Sequence, residues 1–337
     1  MAESSDEIIK REIADNLGMS LNGFSLLVYP QSSNEDQKIF GEEGGLTFGL
    51  KGVPYGSCDA AWTKKEKWVN PYNGKTLNIK PYIALEGTDA LSRGSSGNAQ
   101  YQRFHHALGA VKAGIIGVYY LKKGNHKIQP DLYGMAYHAS KIERGYYFII
   151  DDLDELRDLI NSLNNEDKLK KFIDKKLASM YKIYKEKFDK TYSDWEDFAN
   201  KRSTIIEKNY VIKYSGRMKR NFTDGSQRAG HIAVGEMFLT KYFFPKKKIY
   251  YLWPKMTSED REYLDKNKSN DKEWKILRNE PNVKILTIDD LSGVPVEVIK
   301  KMKEIKDDPL KGDTLKIFRE NLKIIVEGLK KGKISII

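Results

Sequence analysis

The stretch IALEGTDALSRGSSGNAQYQRFHHALGAVKAGIIGVYYL, residues 83–121, decides the fold that the sequence predicts. It opens on an apolar run that ends at a single carboxylate, Glu86, and a loop of Gly, Ser and Arg follows. The next segment predicts a helix from Asn98 to about Lys112, with Asn98 as its N-cap and Gly114 near its end. The apolar run IIGVYYL closes the unit as a buried strand. This order of elements indicates an α/β fold.

The sequence just before this stretch predicts a β-hairpin. CDAAWTKKEKWV is typical of a strand, NPYNGKT of a turn because it contains Asn-Gly, and LNIKPYIALEGTDAL of the returning strand. Asp59 lies at the start of the first strand, and Glu86 lies near the end of the second. Antiparallel neighbours can bring these carboxylates within several ångströms of each other. At such a short distance, two carboxylates need a cation between them if both are to stay charged.

Carboxylate oxygens at the edge of a sheet suit Mg²⁺, which takes one or two carboxylates, keeps several waters and binds phosphate. Such a metal activates water and stabilises charge on a phosphodiester. Asp59 and Glu86 are therefore candidate metal ligands and candidate catalytic residues. The alternative is structural: Asp59 caps a turn, and Glu86 is an exposed strand-end carboxylate paired with a lysine.

The order of these elements resembles the PD-(D/E)xK nuclease superfamily: an Asp in a strand, a turn, a strand that ends in an acid, a polar helix and an apolar strand. Within this superfamily, the basic charge, the length and a second α/β half resemble a type II restriction endonuclease. The resemblance covers roughly residues 50–122. It implies a restriction-endonuclease-like core and Mg²⁺-dependent cleavage of double-stranded DNA. Asp59 matches the first acid of the family pattern, and Glu86 matches the second.

Two positions depart from the family pattern. Cys58 stands where the family has a proline, and Thr88 stands where it has a lysine. The missing positive charge could come from Arg103 in the following helix or from Lys80. Thr88, Gln102 and Arg103 are therefore expected to orient the attacking water or to stabilise the phosphate.

Two loops carry side chains that suit DNA. The first combines glycines, which let a backbone approach closely, with groups that grip phosphates or read base edges, namely Arg93, Ser95, Ser96, Asn98 and Gln100. The second, SGRMKRNFTDGSQRAGH, combines cations for phosphates with amides for bases, and its candidates are Arg217, Lys219, Arg220, Gln227, Arg228 and His231. Each could instead be an ordinary solvated loop.

The composition indicates a folded, basic protein. Hydrophobic residues make up 40% of the chain, aromatic residues 11%, and the formal net charge is +11. That charge favours a polyanionic partner, with nucleic acid first and an acidic membrane surface second. The alternative is a lysine-rich surface that serves only solubility.

The sequence also argues against several kinds of protein. A single cysteine allows neither a disulfide framework nor a thiolate zinc site, and the five histidines have no metal-ligand spacing. No apolar run reaches the ~18 residues that span a bilayer. The charged N-terminal segment lacks the apolar centre of a signal peptide, so we expect a cytoplasmic location and no membrane partner.

The sequence predicts a mixed central β-sheet flanked by helices and three parts of the chain. Residues 1–150 are a nuclease-like core, and residues 151–208 are a helical segment. Residues 209–337 are a second α/β part, with strands at NYVIKYS, KKKIYYLWP and VKILTID, that recognises DNA or completes the first sheet.

The function that these features predict is a Mg²⁺-dependent, sequence-specific endonuclease on double-stranded DNA. We expect a homodimer, because twofold symmetry matches a palindromic site and cuts both strands. Three alternatives stay open: a non-catalytic nucleic-acid-binding protein, an RNA-processing nuclease, and a metabolic enzyme with a basic surface.

Overall fold

The computed structural model of the 337-residue chain describes residues 5–28, 46–92, 100–214, 227–253, 256–267, 272–304 and 312–336. The chain divides into two compact units, residues 1–191 and 192–337. The sequence predicted three parts, with boundaries after residues 150 and 208. The structure divides the chain differently, because the long helix Glu166–Thr191 packs against the helix Pro130–Ile142 and so belongs to the first unit.

The first unit is a mixed sheet with helices packed on it. Its elements in chain order are α1 (Ser5–Leu17), β1 (Ser20–Leu21), β2 (Phe24–Val28), β3 (Leu46–Leu50), β4 (Val53–Cys58), β5 (Ala60–Lys64), β6 (Trp68–Val69), β7 (Thr76–Leu77), β8 (Lys80–Thr88), α2 (Phe104–Lys112), β9 (Ile116–Leu121), α3 (Pro130–Ile142), β10 (Tyr147–Ile150), α4 (Leu153–Ser162) and α5 (Glu166–Thr191). Among the described residues, the main sheet has the order β1-β2-β5-β8-β9-β10. The predicted α/β class with a mixed sheet flanked by helices is confirmed.

The direction of the strands sets where the functional residues meet. β2, β5 and β8 are antiparallel neighbours, whereas β8, β9 and β10 run parallel. The apolar run predicted as a strand is β9, and all its residues are buried. The carboxyl ends of β8, β9 and β10 therefore lie at the same edge as the start of β5.

The predicted hairpin is present, with a smaller one inside it. β5 and β8 pair antiparallel, and β6 and β7 form a two-stranded ladder between them. Gly74 has φ +71°, which suits the predicted Asn-Gly turn because a glycine adopts this conformation without steric cost.

Helix α2 begins later than the sequence predicted. It starts at Phe104, and Arg103 occupies the N-cap position without a side-chain cap bond. The predicted cap, Asn98, lies outside the described residues. The delay has a local cause: Gln100 is tied to another loop, and the chain turns through Tyr101 before the helix starts. The predicted end is right, since Gly114 has φ +85° and its N–H bonds to the carbonyl of Val111.

Helix α2 lies very close to β3, and Gly109 makes this possible. A Cβ atom at position 109 would lie 2.5 Å from the carbonyl oxygen of Phe48 and 2.9 Å from Cβ of Tyr55. In an isolated helix, Gly→Ala is stabilising by about 1 kcal/mol. Here the opposing atom belongs to a backbone, so we expect Gly109→Ala to lower the free energy of unfolding by about 1–3 kcal/mol, measured by urea denaturation. An increase would show that α2 can move away from β3.

The second unit has its own sheet. Its elements are α6 (Trp195–Lys201), β11 (Thr204–Ile206), β12 (Tyr210–Tyr214), α7 (Gln227–Phe243), β13 (Lys248–Trp253), α8 (Ser258–Asn267), α9 (Lys272–Asn279), β14 (Val283–Thr287), β15 (Leu291–Ser292), α10 (Val296–Glu304), α11 (Gly312–Lys330) and β16 (Ser335–Ile336). Among the described residues, β11-β12-β13-β14 form one sheet, in which β12, β13 and β14 are parallel. The three predicted strands are therefore confirmed, and they pair with one another.

None of the helices in the described part of the chain combines the length and the hydropathy that crossing a bilayer requires.

Candidate functional site

The structure brings Asp59 and Glu86 together. Asp59 directly precedes β5, and its N–H donates to the carbonyl of Leu85 at 2.8 Å. Its Oδ2 accepts from the N–H of Gly87 at 2.8 Å, so the backbone and the side chain of Asp59 bond to the residues on either side of Glu86. Asp59 is 5% exposed and Glu86 is 1% exposed. The two predicted carboxylates therefore form a buried pair on neighbouring strands.

Glu86 is held by two side chains from the start of α2. The Arg103 Nη1 atom lies 3.2 Å from Oε1, and the His106 Nδ1 atom lies 3.2 Å from Oε2. The second contact is an ion pair when the imidazole is protonated. Glu86 is thus buried and not exposed as the structural alternative had it, and of the described residues Arg103 and His106 lie beside its carboxylate.

Asp59 has a cation that the sequence did not indicate. The Lys10 Nζ atom lies 3.9 Å from Oδ1 of Asp59, and both side chains are largely buried. Helix α1 reaches this position because it packs directly on β8: a Cβ atom at Gly87 would lie 2.3 Å from Cγ2 of Ile9. No spacing in the sequence links Lys10 to Asp59.

The imidazole of His106 lies against the hairpin formed by β3 and β4. Gly56 has φ +132°, and a Cβ atom there would lie 2.3 Å from Cδ2 of His106. The Cys58 thiol donates to the His106 carbonyl at 3.6 Å. A side chain at position 56 would therefore displace the imidazole from Glu86.

The carboxylate pair makes its surroundings electrically negative. The pKa of the Cys58 thiol is raised well above its usual value by burial, and the charges of Glu86 and Asp59 raise it further. The pKa of Tyr119, which pairs with Glu86 across β8 and β9, is also raised, by burial first and by the Glu86 charge second. The charge of Arg103 lowers the pKa of Tyr119, so cations of the chain itself offset part of the negative charge of the two carboxylates.

The oxygen atoms at this site fit a hard divalent cation. The Arg103 Nη1 atom lies 3.2 Å from Oε1 of Glu86 and 3.5 Å from the carbonyl oxygen of Gly87, so these two oxygens face one point. Together with the Asp59 carboxylate they are the ligand type that Mg²⁺ prefers. The Arg103 side chain is 30% exposed, so part of the guanidinium side chain reaches solvent.

Of the three residues expected to assist, the structure places Arg103 in contact with Glu86. Thr88 is buried, and its hydroxyl accepts from the N–H of Ala90 at 3.2 Å, which makes it a turn residue. Gln102 is half-buried and precedes Arg103 at the start of α2. Lys80 is at the other end of β8 and lies 3.7 Å from Glu66, so it is roughly 20 Å along the strand from Glu86 and cannot supply the missing charge.

Gln100 has a structural role where base reading was expected. It is 2% exposed. Its Nε2 donates to the carbonyl of Lys127 at 3.1 Å, and its Oε1 accepts from the N–H of Gln129 at 2.9 Å. Both ends of the amide are therefore used by the backbone of the loop after β9, and no end is left for a base.

We expect Gln100→Ala to lower the free energy of unfolding by about 1–3 kcal/mol, because the buried N–H of Gln129 loses its acceptor. Gln102→Ala is the matched control, since Gln102 is half-buried two residues away, and it should unfold like the wild type. Chemical denaturation of both variants measures the difference. Equal stabilities would show that Gln100 does not hold the loop.

The other DNA-binding candidates stay predictions. Those that lie outside the described residues are Arg93, Ser95, Ser96, Asn98, Arg217, Lys219 and Arg220. Gln227 and Arg228 form the first turn of α7, where the backbone alone is described. His231 lies in the same helix, and its Nε2 is 2.8 Å from Oε1 of Glu273 in α9, so its ring contacts an acid of its own unit.

No protein-family model matches the chain, and no curated protein or solved structure matches it significantly. Its function is therefore inferred from the geometry of the site.

Proposed function

We propose that the chain is a Mg²⁺-dependent endonuclease that hydrolyses phosphodiester bonds of double-stranded DNA, with Asp59 and Glu86 as the metal ligands. The observation that carries the proposal is the buried carboxylate pair, surrounded by Lys10, Arg103 and His106. Buried charge is costly unless it is compensated, so such a pair points to a requirement for negative charge at this place.

Each side chain at the site has a role in this proposal. Asp59 and Glu86 would hold Mg²⁺, which when bound supplies a Lewis acid for the phosphate and lowers the pKa of a water molecule. Arg103 reaches solvent and would neutralise a phosphate oxygen. This is the role that the resemblance gives to the lysine that Thr88 replaces. Lys10 would offset negative charge on the Asp59 side. His106 Nδ1 can accept or hold one proton beside Glu86.

The order of elements supports the proposal. Asp59 directly precedes a strand, Glu86 lies near the end of the antiparallel neighbour, α2 follows, and β9 pairs parallel to the strand of Glu86. This is the order on which the resemblance to the PD-(D/E)xK superfamily rests. The net charge of +11 suits a nucleic-acid substrate. Sequence specificity and a homodimer, which would match a palindromic site, remain parts of the proposal, as does a cytoplasmic location.

A second candidate function is a non-catalytic nucleic-acid-binding protein. It is favoured by one specific observation: cations of the chain itself already lie beside both carboxylates, as they would in a purely structural ion-pair network. In that case the carboxylates hold α1 and α2 on the sheet and no metal enters.

Incubation of plasmid and phage DNA with the protein, in Mg²⁺ and separately in EDTA, separates the two candidates. We expect discrete DNA fragments with Mg²⁺ and intact DNA with EDTA. A structured RNA in the same buffer distinguishes a deoxyribonuclease from an RNA-processing enzyme. Intact DNA in Mg²⁺ across many substrates, with duplex binding retained, would favour the non-catalytic protein.

A further inference from the structure

A pocket of about 240 Å³ lies at the carboxyl ends of the parallel strands of the first unit. It is lined by Leu91 shortly after β8, by the loop of residues 123–128 after β9, by Asp151 directly after β10, and by Lys187 of α5. We call it the β9-loop pocket. Because β8, β9 and β10 are parallel, it lies at the same edge of the sheet as Glu86.

The lining of the pocket is basic. Lys123, Lys127 and Lys187 contribute three positive charges against the single negative charge of Asp151. Lys123 also bonds to Asp152 at 3.1 Å, whereas within the described ranges no carboxylate pairs with Lys127 or Lys187. His126 adds a further positive charge when protonated. An anion is therefore the ligand that this pocket attracts.

Tyr133 also lines the pocket. Its pKa is raised, by burial first and by the charges of Asp151 and Glu155 next, so the hydroxyl group keeps its proton at neutral pH. A neutral hydroxyl that holds its proton can donate to an anion.

The loop that forms the pocket is fixed by bonds on both sides. The N–H of His126 donates to the carbonyl of Leu91 at 3.0 Å, and the buried Gln100 amide holds the backbone of residues 127 and 129. Gly124 lies against Leu91, where a Cβ atom would be 2.4 Å from the Leu91 carbonyl carbon. A loop held this way loses little further conformational entropy when a ligand binds.

We propose that the β9-loop pocket binds a backbone phosphate of the DNA strand whose scissile phosphodiester lies at Asp59 and Glu86. This inference rests on the proposed function. Neighbouring strands are ~4.8 Å apart, so a pocket beside β9 and β10 lies roughly 5–10 Å along the sheet edge from the end of β8. Phosphates on one DNA strand follow each other at ~3.4 Å along the axis. A strand that lies along this edge therefore presents a second phosphate to the pocket.

The test compares two double variants with the same change in charge. Lys127→Gln/Lys187→Gln alters the pocket, and Lys170→Gln/Lys171→Gln alters exposed lysines of the same helix α5 away from it. Duplex affinity is measured in EDTA at several salt concentrations. We expect the pocket variant to reduce the slope of log K against log[salt] by about 0.9, since the pocket holds one phosphate and each phosphate contact contributes ~0.9, and the control to leave it unchanged. Equal slopes for the two variants would overturn the pocket proposal.

A second measurement distinguishes this failure from failure of the proposed function. Inorganic phosphate is titrated into the wild-type protein while the His126 imidazole signal is followed by NMR, with His126→Gln used to assign it. If the protein cleaves DNA with metal but the two double variants have equal salt slopes, the pocket proposal is overturned and the proposed function stands. A different outcome is that the protein neither binds nor cleaves duplex DNA, while phosphate shifts the His126 signal in the wild type and not in the Lys127→Gln/Lys187→Gln variant. That result overturns the assignment to DNA and leaves a site for free phosphate.

Discussion

Glu86→Gln should abolish Mg²⁺-dependent DNA cleavage while duplex binding persists. The change keeps the shape of the side chain and removes the negative charge that faces Arg103. We expect the cleavage rate to fall by at least about 100-fold. Removing a residue that only supports a metal ligand already lowers activity by up to about 100-fold, and Glu86 is proposed as a ligand itself. DNA binding should stay equal or become tighter, because one negative charge next to a phosphate is removed. Cleavage and duplex affinity are measured on the same preparation.

Glu66→Gln is the matched control for this variant. Glu66 carries the same group, is 42% exposed, and contacts Lys80 and Tyr82 at the far end of β8. Its change should leave cleavage unaltered. If Glu86→Gln cleaved DNA at the wild-type rate, the protein would still be a nuclease, but its active site would lie elsewhere.

Asp59→Asn and Asp59→Ala should have different effects on stability and the same effect on cleavage. The Asn amide oxygen can still accept from the N–H of Gly87, as Oδ2 does at 2.8 Å. Ala leaves that N–H without an acceptor, which costs about 1–3 kcal/mol of the free energy of unfolding relative to Asn. Both changes remove the carboxylate, so we expect each to lose at least about 100-fold in cleavage rate.

Thermal unfolding together with the cleavage rate of each variant separates structure from chemistry at Asp59. A stable Asp59→Asn variant that cleaves like the wild type would show that Asp59 is structural. Equal stability of the Asn and Ala variants would show that the contact with Gly87 contributes little to the fold.

Much of the first unit could be predicted from local sequence signals. The Asn-Gly turn and the two apolar runs predicted antiparallel β5 and β8 and the buried strand β9, because these features depend on residues close in the chain. The proximity of Asp59 to Glu86 followed from that hairpin alone. In the second unit, the three apolar runs predicted β12, β13 and β14 for the same reason.

The side chains around the carboxylates could not be predicted, because they come from distant parts of the chain. Lys10 reaches Asp59 only because α1 packs on Gly87, and His106 faces Glu86 only because Gly56 leaves space for its ring. Neither contact has a characteristic spacing in the sequence. The role of Gln100 was missed for a similar reason: an amide that holds a loop and an amide that reads a base look the same in a sequence.

The domain boundary was also outside the reach of local patterns. The sequence predicts a helical segment over residues 151–208, but the pattern does not say which partner a helix of that segment packs against. The partner is α3, which places α5 with the first unit and moves the boundary to residues 191 and 192.

Whether Asp59 and Glu86 hold a divalent cation is tested most directly by metal binding. Mn²⁺ shares the preference of Mg²⁺ for oxygen ligands and can be counted from its EPR signal. The wild type and the Asp59→Asn/Glu86→Gln double variant are titrated in parallel, up to millimolar Mn²⁺. We predict that the wild type binds an ion that the double variant does not bind. Equal numbers of ions bound with equal affinity would contradict a metal site at this carboxylate pair and, with it, the proposed mechanism.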